Sequence, residues 1–271
     1  MKLPTRIVEK PWGRTDIPPA FGAFNGRRIG EIWFEDLLGD AAPIMIKFLF
    51  TSERLSIQVH PDDDAAKAAG LPRGKDECWL VLDAQADAAL GVGLKAPCSK
   101  TALHAVALDG SIVDLIDWRP VRAGDFIYNA AGTIHAIGAG LMVVEVQQNV
   151  DCTYRLYDYG RLDNALPREL HLDAGLAVAR MEPHRDLRDC RVYNSGVQTL
   201  VDGPHFSLCH LTGPIDHADL PSESGRYTIV PLSTGCILGG EPLALGECAI
   251  IADPGSITLQ DGASALIAWP S

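Results

Sequence analysis

Long apolar runs and positive charges are both scarce in this sequence. No hydrophobic stretch is long enough to span a bilayer, and the residues after Met1 lack the apolar core of a signal peptide. Lys and Arg number 23 against 35 Asp and Glu, which gives a formal net charge of -12. Nucleic acids and anionic membranes need a basic surface, so we expect neither as a partner. A small anionic substrate remains compatible with this charge where a few Lys or Arg gather locally.

Paired cysteines are also lacking. The seven cysteines are an odd number, are scattered along the chain and include no Cys-x-x-Cys pair. Free thiols in a reducing compartment therefore fit better than a disulfide framework or a thiolate zinc site, and we expect a cytoplasmic protein. The 271 residues, of which 47% are hydrophobic, can bury the core of one large domain or two smaller ones.

What the sequence does contain is a strict alternation of apolar and polar residues from Leu55 to His60. A strand sends successive side chains to opposite faces, so Ser56, Gln58 and His60 share one face. A hydroxyl, a carboxamide and an imidazole in a row are unusual on a solvent-exposed face. They suit a strand whose polar face holds a metal or a small polar molecule inside a barrel. Pro61 ends the strand because it cannot donate to a ladder.

Most of the chain is predicted to form short strands separated by turn residues, which favours an antiparallel barrel or jelly roll. The strand over residues 44–50 is expected to pair antiparallel with the strand over 55–60, because only a short turn separates them. Residues 10–13 are expected to form a rigid turn. Further strands are predicted at 31–34, 75–82, 121–128, 133–137, 141–147, 153–157, 206–211, 227–232, 236–238, 249–252, 257–259 and 265–269. Helices are predicted at 62–69, 100–108, 111–118 and 167–181.

The C-terminal part echoes the N-terminal part more weakly. A Gly-Glu pair at 246–247 is followed by a turn at Gly255, as Gly124 and Asp125 are followed by a turn at Gly132. No histidine follows Gly255 at the place that His135 takes after Gly132. We therefore predict two domains, a catalytic barrel with the metal site over 1–160, and a linking helix with a smaller β half without metal ligands over 161–271.

Four polar residues on three predicted strands, two of them on the strand over 55–60, are candidates for one metal site. Two imidazoles, a carboxylate and an amide oxygen suit zinc and leave room for water or a substrate. Taken singly, each histidine is explained as well by a hydrogen-bonded core imidazole. The metal is favoured because several polar strand faces point into the same barrel. The four candidates are Gln58, His60, Glu77 and His135.

Four ordered motifs resemble type I mannose-6-phosphate isomerases. They are Leu-Ser-Ile-Gln-Val-His-Pro-Asp-Asp at 55–63, Lys-Asp-Glu-Cys-Trp at 75–79, Ala-Gly-Thr-Ile-His-Ala-Ile at 131–137 and Glu-Val-Gln-Gln-Asn-Val-Asp-Cys-Thr-Tyr-Arg-Leu-Tyr-Asp-Tyr-Gly-Arg at 145–161. The resemblance implies a mainly β protein, with a cupin jelly-roll barrel, helical insertions and a second, degenerate cupin-like half. It also implies one zinc ion per chain on the four candidate ligands, an active-site Arg155, and substrate contacts from Ser56 and Lys75.

The activity that the resemblance implies is the interconversion of mannose 6-phosphate and fructose 6-phosphate through a cis-enediol. Lys75 and Arg155, with Arg161 as a third candidate, are the local cations for the substrate dianion. Arg155 is expected to stabilise the enediolate, and Glu145 is the candidate base because it lies beside the His135 strand. Glu145 is equally explained as a buried carboxylate that pairs with Arg155, and Asp151 is a weaker candidate base.

Three other functions stay open at this point. One is a non-catalytic cupin that binds a sugar phosphate, another is a metal-dependent cupin isomerase for another sugar, and the third is an iron-dependent cupin oxygenase. Cobalt and manganese can share the ligands proposed for zinc. A small-molecule sugar phosphate is the expected partner, and we expect a monomer or a weak homodimer.

Overall fold

The protein is mainly β in the computed structural model, which describes residues 1–163, 165–221 and 225–271. Helices are few and short, and they fall between strands. The elements up to Arg191 are β1 Thr5–Arg14, β2 Ile29–Phe34, β3 Ile44–Phe50, β4 Ile57–Val59, α1 Asp63–Ala68, β5 Glu77–Ala84, β6 Ala89–Leu94, α2 Lys100–Asp109, α3 Ile112–Leu115, β7 Ile116–Pro120, β8 Asp125–Asn129, β9 His135–Ile137, β10 Leu141–Gln148, β11 Tyr154–Tyr157, β12 Leu162–Asp163, β13 Leu166–Pro167, α4 Leu172–Val178 and β14 Cys190–Arg191.

Beyond Arg191 the described chain is built from strands and two short 3-10 turns. The strands are β15 Gly196–Asp202, β16 Phe206–Thr212, β17 Tyr227–Pro231, β18 Cys236–Leu238, β19 Glu241–Leu243, β20 Ala249–Ile251, β21 Ile257–Leu259 and β22 Ser264–Pro270. In the described ranges no helix has the length and apolar character needed to cross a membrane. All seven cysteines are free thiols, as predicted.

Two antiparallel sheets of the N-terminal part face each other. The large sheet has the order β1-β2-β3-β10-β5-β8-β14, and the small sheet has the order β11-β4-β9-β6-β7. Helices α2, α3 and α4 cover the side of the small sheet that faces away from the large one, where Leu103, Ile112 and Leu176 pack against Ile57 and Val59. The fold therefore leaves the polar faces of both sheets turned toward each other.

The outer face of the large sheet packs against the C-terminal sheet β15-β16-β22-β17-β20. The two sheets share one apolar core because alternate residues of both are turned inward. Its members include Cys78, Leu80, Val144 and Val146 from the large sheet, and Leu200, Leu208, Val230 and Leu266 from the C-terminal sheet. The division into domains at residue 160 stays a prediction.

Two local predictions about strands are wrong. β3 does not pair with the strand at Ile57–Val59, because the two lie in different sheets, and β3 pairs with β2 and β10 instead. Both faces of β3 are buried, which an edge position beside β4 would not allow. Residues 10–13 are not an isolated turn but belong to β1, which pairs with β2 through register shifts.

The helix predicted over 167–181 is also shorter than expected. Pro167 lies in β13 opposite Leu162, and helix α4 starts only at Leu172. Pro167 has no N–H to donate and is restricted in φ, which favours an extended edge position. Likewise, the helix predicted at 111–118 ends at Leu115, where Ile116 begins β7.

Candidate active site

One row of side chains crosses five strands on the inner face of the large sheet. Directly opposed residues of antiparallel strands share a face, so the register places them side by side. The row consists of Arg6 on β1, Trp33 on β2, Lys47 on β3, Glu145 on β10 and Trp79 on β5. Three charged and two aromatic side chains therefore form the floor of the space between the two sheets.

This space is a cavity of about 420 Å³. Six cationic side chains and four carboxylates line it, so the local charge is positive although the chain as a whole is strongly acidic. A positive, partly enclosed cavity of this size suits a small anion. The cations are Arg6, Lys10, Lys47, Lys75, Arg155 and Arg168, and the carboxylates are Glu31, Glu77, Glu145 and Asp151.

Three predicted metal ligands meet at one end of the cavity. Donor atoms of His60, Glu77 and His135 all lie within 4.8 Å of one another. Oε2 of Glu77 is 3.4 Å from Nε2 of His60, and Oε1 is 3.2 Å from Nε2 of His135. All three side chains are about 1% exposed. Two imidazoles and one carboxylate in this arrangement are a donor set that zinc and related ions bind.

The ring of His135 is oriented by its main-chain neighbour. Its Nδ1 donates to the carbonyl oxygen of Thr133 at 2.9 Å, which leaves the lone pair of Nε2 facing Glu77. Asn129 supports the same group, since its Nδ2 donates to Oε1 of Glu77 at 2.9 Å. The tautomer that this contact favours is the one that a metal ligand needs.

Buried polar atoms without partners test whether these residues fit a metal. Nδ1 of His60 is buried without a hydrogen-bond partner, and Oε2 of Glu77 is buried with Nζ of Lys75, 3.1 Å away, as its charged neighbour. Burial, assisted by Lys75, lowers the pKa of His60 to about 3, so the imidazole is neutral. Burial would raise the pKa of Glu77, but Lys75 and His60 hold it well below its usual value. A neutral imidazole and an ionised carboxylate are the forms that bind metals, so the residues fit.

Gln58 faces His135 across the pair β4–β9. Its Nε2 lies 3.2 Å from Nε2 of His135, while its Oε1 accepts a hydrogen bond of 3.1 Å from Ser56. The amide must turn over before its oxygen could bind a metal. Gln58 therefore stands beside the three other donors, and its role as a ligand stays a prediction.

Lys75 lies among the donor atoms. Its Nζ is 3.1 Å from Oε2 of Glu77 and 3.3 Å from Nε2 of His60. Burial alone would lower the pKa of Lys75, but the carboxylates of Glu77 and Glu145 raise it to about 12. Lys75 is therefore a buried, permanently charged group next to the candidate metal site.

Glu145 and Arg155 both line the cavity, as predicted residues of the site, but they do not pair with each other. Glu145 is held by Lys47, 3.3 Å from Oε1, and by the indole of Trp79, 3.0 Å from Oε2. Arg155 donates to the carbonyl oxygen of Glu169 at 2.9 Å, and its Nε is buried without a partner. Asp151 also lines the cavity.

The cation beside Arg155 is not the one that the sequence suggested. Arg161 donates to Asp158 and to the carbonyl oxygen of Arg54, and it does not line the cavity. Arg168, which lay outside the sequence motifs, takes this place. Burial and the nearby Arg168 lower the pKa of Arg155, as expected when two guanidinium groups share a confined space.

Lys47 and Glu31 were missed as site residues. Lys47 is buried, donates to Oε1 of Gln147 at 2.7 Å and lies 4.5 Å from the ring centroid of Trp33. Burial would raise the pKa of Glu31, but Lys47 and Lys10 lower it. The signal for Lys47 was a single lysine inside the apolar run of residues 44–50, and for Glu31 the alternation with Trp33.

No protein-family model matches the chain. Curated relatives match part of the chain. The mannose-6-phosphate isomerase ManA of Bacillus subtilis is 40% identical over 198 residues, which are 69% of this chain and 62% of the relative. The mannose-6-phosphate isomerase of Streptococcus mutans is 35% identical over 196 residues, 69% of this chain and 62% of the relative. The matched region thus spans less than two thirds of the length of these relatives.

Solved structures match over the whole chain. The crystal structure of the mannose 6-phosphate isomerase from Bacillus subtilis superposes with a TM-score of 0.84 and 28% identity, covering 99% of this chain and 98% of that one. The apo form from Salmonella typhimurium has a TM-score of 0.70 and 14% identity over 100% of this chain and 98% of that one, which concerns the fold alone. The predicted cupin fold is confirmed, and the chain is similar to mannose-6-phosphate isomerases in both sequence and structure.

Proposed function

We propose that the protein is a metal-dependent aldose–ketose isomerase that interconverts mannose 6-phosphate and fructose 6-phosphate through a cis-enediol. One observation carries the proposal. A single cavity joins a buried donor set of two histidines and a carboxylate to six cationic side chains. The names of the relatives supply the substrate, because those proteins are named mannose-6-phosphate isomerases.

The metal is proposed to be one Zn²⁺ per chain. His60, Glu77 and His135 would hold it, with the oxygen of Gln58 as a fourth ligand once its amide has turned over. When bound, the ion supplies Lewis-acid polarisation of the sugar oxygens.

The phosphate is proposed to bind at Arg155 and Arg168. Both guanidinium groups reach the cavity, and Nε of Arg155 is buried with its hydrogen-bonding capacity unused. Arginine matches phosphate oxygens with two parallel donors, which favours it at such a site. Ser56 and Lys75 would then contact the sugar near the metal site, and Arg155 would also stabilise charge on the enediolate.

Proton transfer between C2 and C1 is assigned to Glu145. Lys47 and Trp79 each contact one of its carboxylate oxygens, so the group is fixed in orientation while it faces the cavity. A base that is held in place before the reaction loses little entropy on reaching the transition state. Asp151, which is exposed at the cavity, is the alternative base.

A coupled assay that converts mannose 6-phosphate to fructose 6-phosphate tests the proposal, with and without a chelator. We expect turnover that the chelator removes and zinc restores, and parallel additions of cobalt and manganese identify the preferred ion. Metal bound without turnover would favour the alternative, a non-catalytic sugar-phosphate-binding protein, or an isomerase for another sugar.

The variant Arg155→Ala tests the assignment of the anion site. It is expected to keep zinc bound and to lower kcat/KM by at least about 100-fold, because a preorganised donor to a developing anion is lost. The matched variant Arg161→Ala removes a nearby arginine whose side chain does not line the cavity, and its loss is expected to be much smaller. Persistent turnover in Arg155→Ala would show that this role is wrong.

A further inference from the structure

The donor atoms come from two different sheets. Glu77 begins β5 of the large sheet, whereas His135 begins β9 of the small sheet. The chain passes from one sheet to the other through the turn over residues 130–134, between β8 and β9. The distance between the carboxylate and the imidazole therefore depends on how this turn is held.

Asp76 holds the turn. It precedes Glu77 and points to the opposite face of the sheet, where it is buried. Its Oδ1 accepts a hydrogen bond of 2.8 Å from the backbone N–H of Ala131, and its Oδ2 accepts one from the hydroxyl of Tyr128. These donors flank the end of β8, where the chain leaves the large sheet.

The backbone of Asp76 is itself fixed. Its N–H donates to Oε1 of Gln148 at 2.8 Å, and its carbonyl oxygen accepts from the N–H of Gln148 at 2.9 Å. The carboxylate is thus anchored to β10 on one side and clamps the turn on the other. A displacement of the turn would have to break contacts to two strands.

The residues that the turn carries orient the donors. Asn129, at its start, donates to Oε1 of Glu77 at 2.9 Å, and its Nδ2 lies 3.0 Å from Nδ1 of His135. The carbonyl oxygen of Thr133, within the turn, accepts a hydrogen bond of 2.9 Å from Nδ1 of His135. The contacts of Asp76 and the contacts of the donors therefore meet in the same few residues.

Side chains from later in the chain cover this clamp. Nε2 of His205 lies 3.9 Å from Oδ2 of Asp76, and its Nδ1 lies 3.6 Å from Oδ2 of Asp63. The guanidinium carbon of Arg188 lies 3.3 Å from the ring centroid of Tyr128. The segment that follows α4 and the start of β16 thus reach the outer side of the strand that supplies Glu77.

We propose that Asp76 is a positioning residue for the metal site, which clamps the turn between β8 and β9 and so fixes Glu77 relative to His135. Asp76 contacts neither the metal nor the substrate and acts through the turn. The inference rests on the proposed metal site and deepens it, because it places a determinant of metal affinity on the face opposite to the ligands.

The test compares the zinc affinity of chelator-treated wild type and Asp76→Ala, measured by competition with a chromophoric chelator. We expect the variant to bind Zn²⁺ about 10–100-fold more weakly, the range seen when an outer contact of a metal ligand is lost. Substitution with Co²⁺ gives a second readout, because an altered ligand geometry changes the visible absorption of the bound ion.

Asp125→Ala is the matched control. Asp125 also accepts a backbone N–H, that of Arg122 at 2.9 Å, and pairs with Arg191 at 2.8 Å, but it lies at the opposite end of β8. It is expected to lower the thermal stability of the metal-free protein and to leave zinc affinity unchanged. Equal losses of affinity in both variants would overturn the proposal, since the effect would then be one of stability.

Asp76→Asn keeps the test decisive if the alanine variant does not fold. Its single acceptor oxygen can serve only one of the two donors, Ala131 or Tyr128, so we expect an affinity between those of wild type and Asp76→Ala. Wild-type affinity in every folded variant of Asp76 would overturn the proposal. Zinc binding is read without substrate, so wild type that binds zinc but does not isomerise mannose 6-phosphate would contradict the proposed activity alone.

Discussion

At the scale of single residues, the cavity contains buried charged side chains that form ion pairs. Lys47 meets Glu145, and Lys75 meets Glu77, with every member of these pairs nearly inaccessible to water. An ion pair in such a place is held by mutual neutralisation, since either charge alone would be strongly unfavourable away from solvent. The two pairs thus keep a positive and a negative group side by side where the proposed chemistry needs both.

Replacing one member of the buried pair Lys47–Glu145 is expected to destabilise the fold. Lys47→Met leaves the Glu145 carboxylate without its cation, and the free energy of unfolding should fall by about 3–5 kcal/mol. Adding Glu145→Gln to the same chain should recover much of that loss. Urea unfolding of the chelator-treated proteins measures both effects.

The exposed pair Lys2–Glu247, whose side chains are 54% and 36% accessible, is the control. Lys2→Met should change the free energy of unfolding by no more than about 1 kcal/mol. If Lys47→Met were as mild as this surface change, the buried pair would not matter for stability.

The structure brings the residues of the sequence motifs together, and their proposed roles stay predictions. Ser56, Gln58, Lys75, Glu77, Glu145 and Arg155 all line one cavity, and His60 and His135 contact Glu77. Lys47 was missed because an apolar run indicates only burial, and its partners Glu145 and Gln147 lie on a strand far along the chain. Arg161 was a candidate cation for the substrate, but Arg168 lines the cavity instead. Strand periodicity does not say which arginine a loop turns inward.

At the scale of elements, strands were predicted well and their pairing poorly. The bounds of β3 and β10 follow closely from the apolar pattern, and helices α1 and α2 begin directly after Asp62 and Ser99, whose side chains cap them. β3 and β4 belong to different sheets although they are close in sequence, and β3 pairs with β2 and β10 instead. The alternation of a strand says which face is polar, but it does not say which sheet receives the strand.

Strand β16 carries a buried histidine that should make stability depend on pH. His210 is turned toward the large sheet, lines a cavity of about 370 Å³ between the two sheets, and is 5% exposed. Burial lowers its pKa to about 4, whereas an unfolded histidine has a pKa near 6.5. The unfolded chain therefore binds a proton more readily than the folded chain. The contribution of neutral His210 to the free energy of unfolding is fully present above pH 6.5 and is lost as the pH falls toward 4.

The slope is about 1.4 kcal/mol per pH unit for one proton, or roughly 3 kcal/mol over this range. His210→Gln should remove that part of the dependence. Unfolding of chelator-treated wild type and variant at pH 7 and pH 4.5 measures it, and the difference between the two chains separates His210 from other histidines. Parallel pH profiles would contradict the assignment.

At the scale of the whole molecule, the C-terminal strands share one apolar core with the large sheet of the N-terminal part. The large sheet has its cavity on one face and an apolar surface on the other, and β15, β16, β17, β20 and β22 cover that surface. Burial of apolar area on this scale is the main favourable contribution to folding, so the large sheet depends on its cover. The sequence predicted a second β half but gave no sign of this contact, because alternate apolar residues look the same whether they face their own barrel or another sheet.

A chain that ends after Asn194 is expected to fail as a soluble monomer. The outer faces of β5 and β10 would be exposed, and a contiguous apolar patch of that kind promotes association. Soluble yield, sedimentation and binding of a hydrophobic dye, each compared with the full chain, measure the effect. A monomeric fragment that still binds zinc would show instead that the N-terminal part up to Asn194 folds independently.

The shared core also constrains how such a protein can diverge. Leu208 and Leu266 share one core with Val144 and Val146, which flank Glu145 on β10. A substitution at one of these positions therefore restricts which substitutions the others can accept. Among the residues that the structure describes, the opposite face of the same C-terminal strands packs within a separate cluster and can vary separately. Chimeras that exchange C-terminal halves between distant relatives would therefore combine sheets whose core residues do not fit each other. Recombination should be tolerated only where the outer face of the large sheet and the C-terminal face that packs on it come from the same parent.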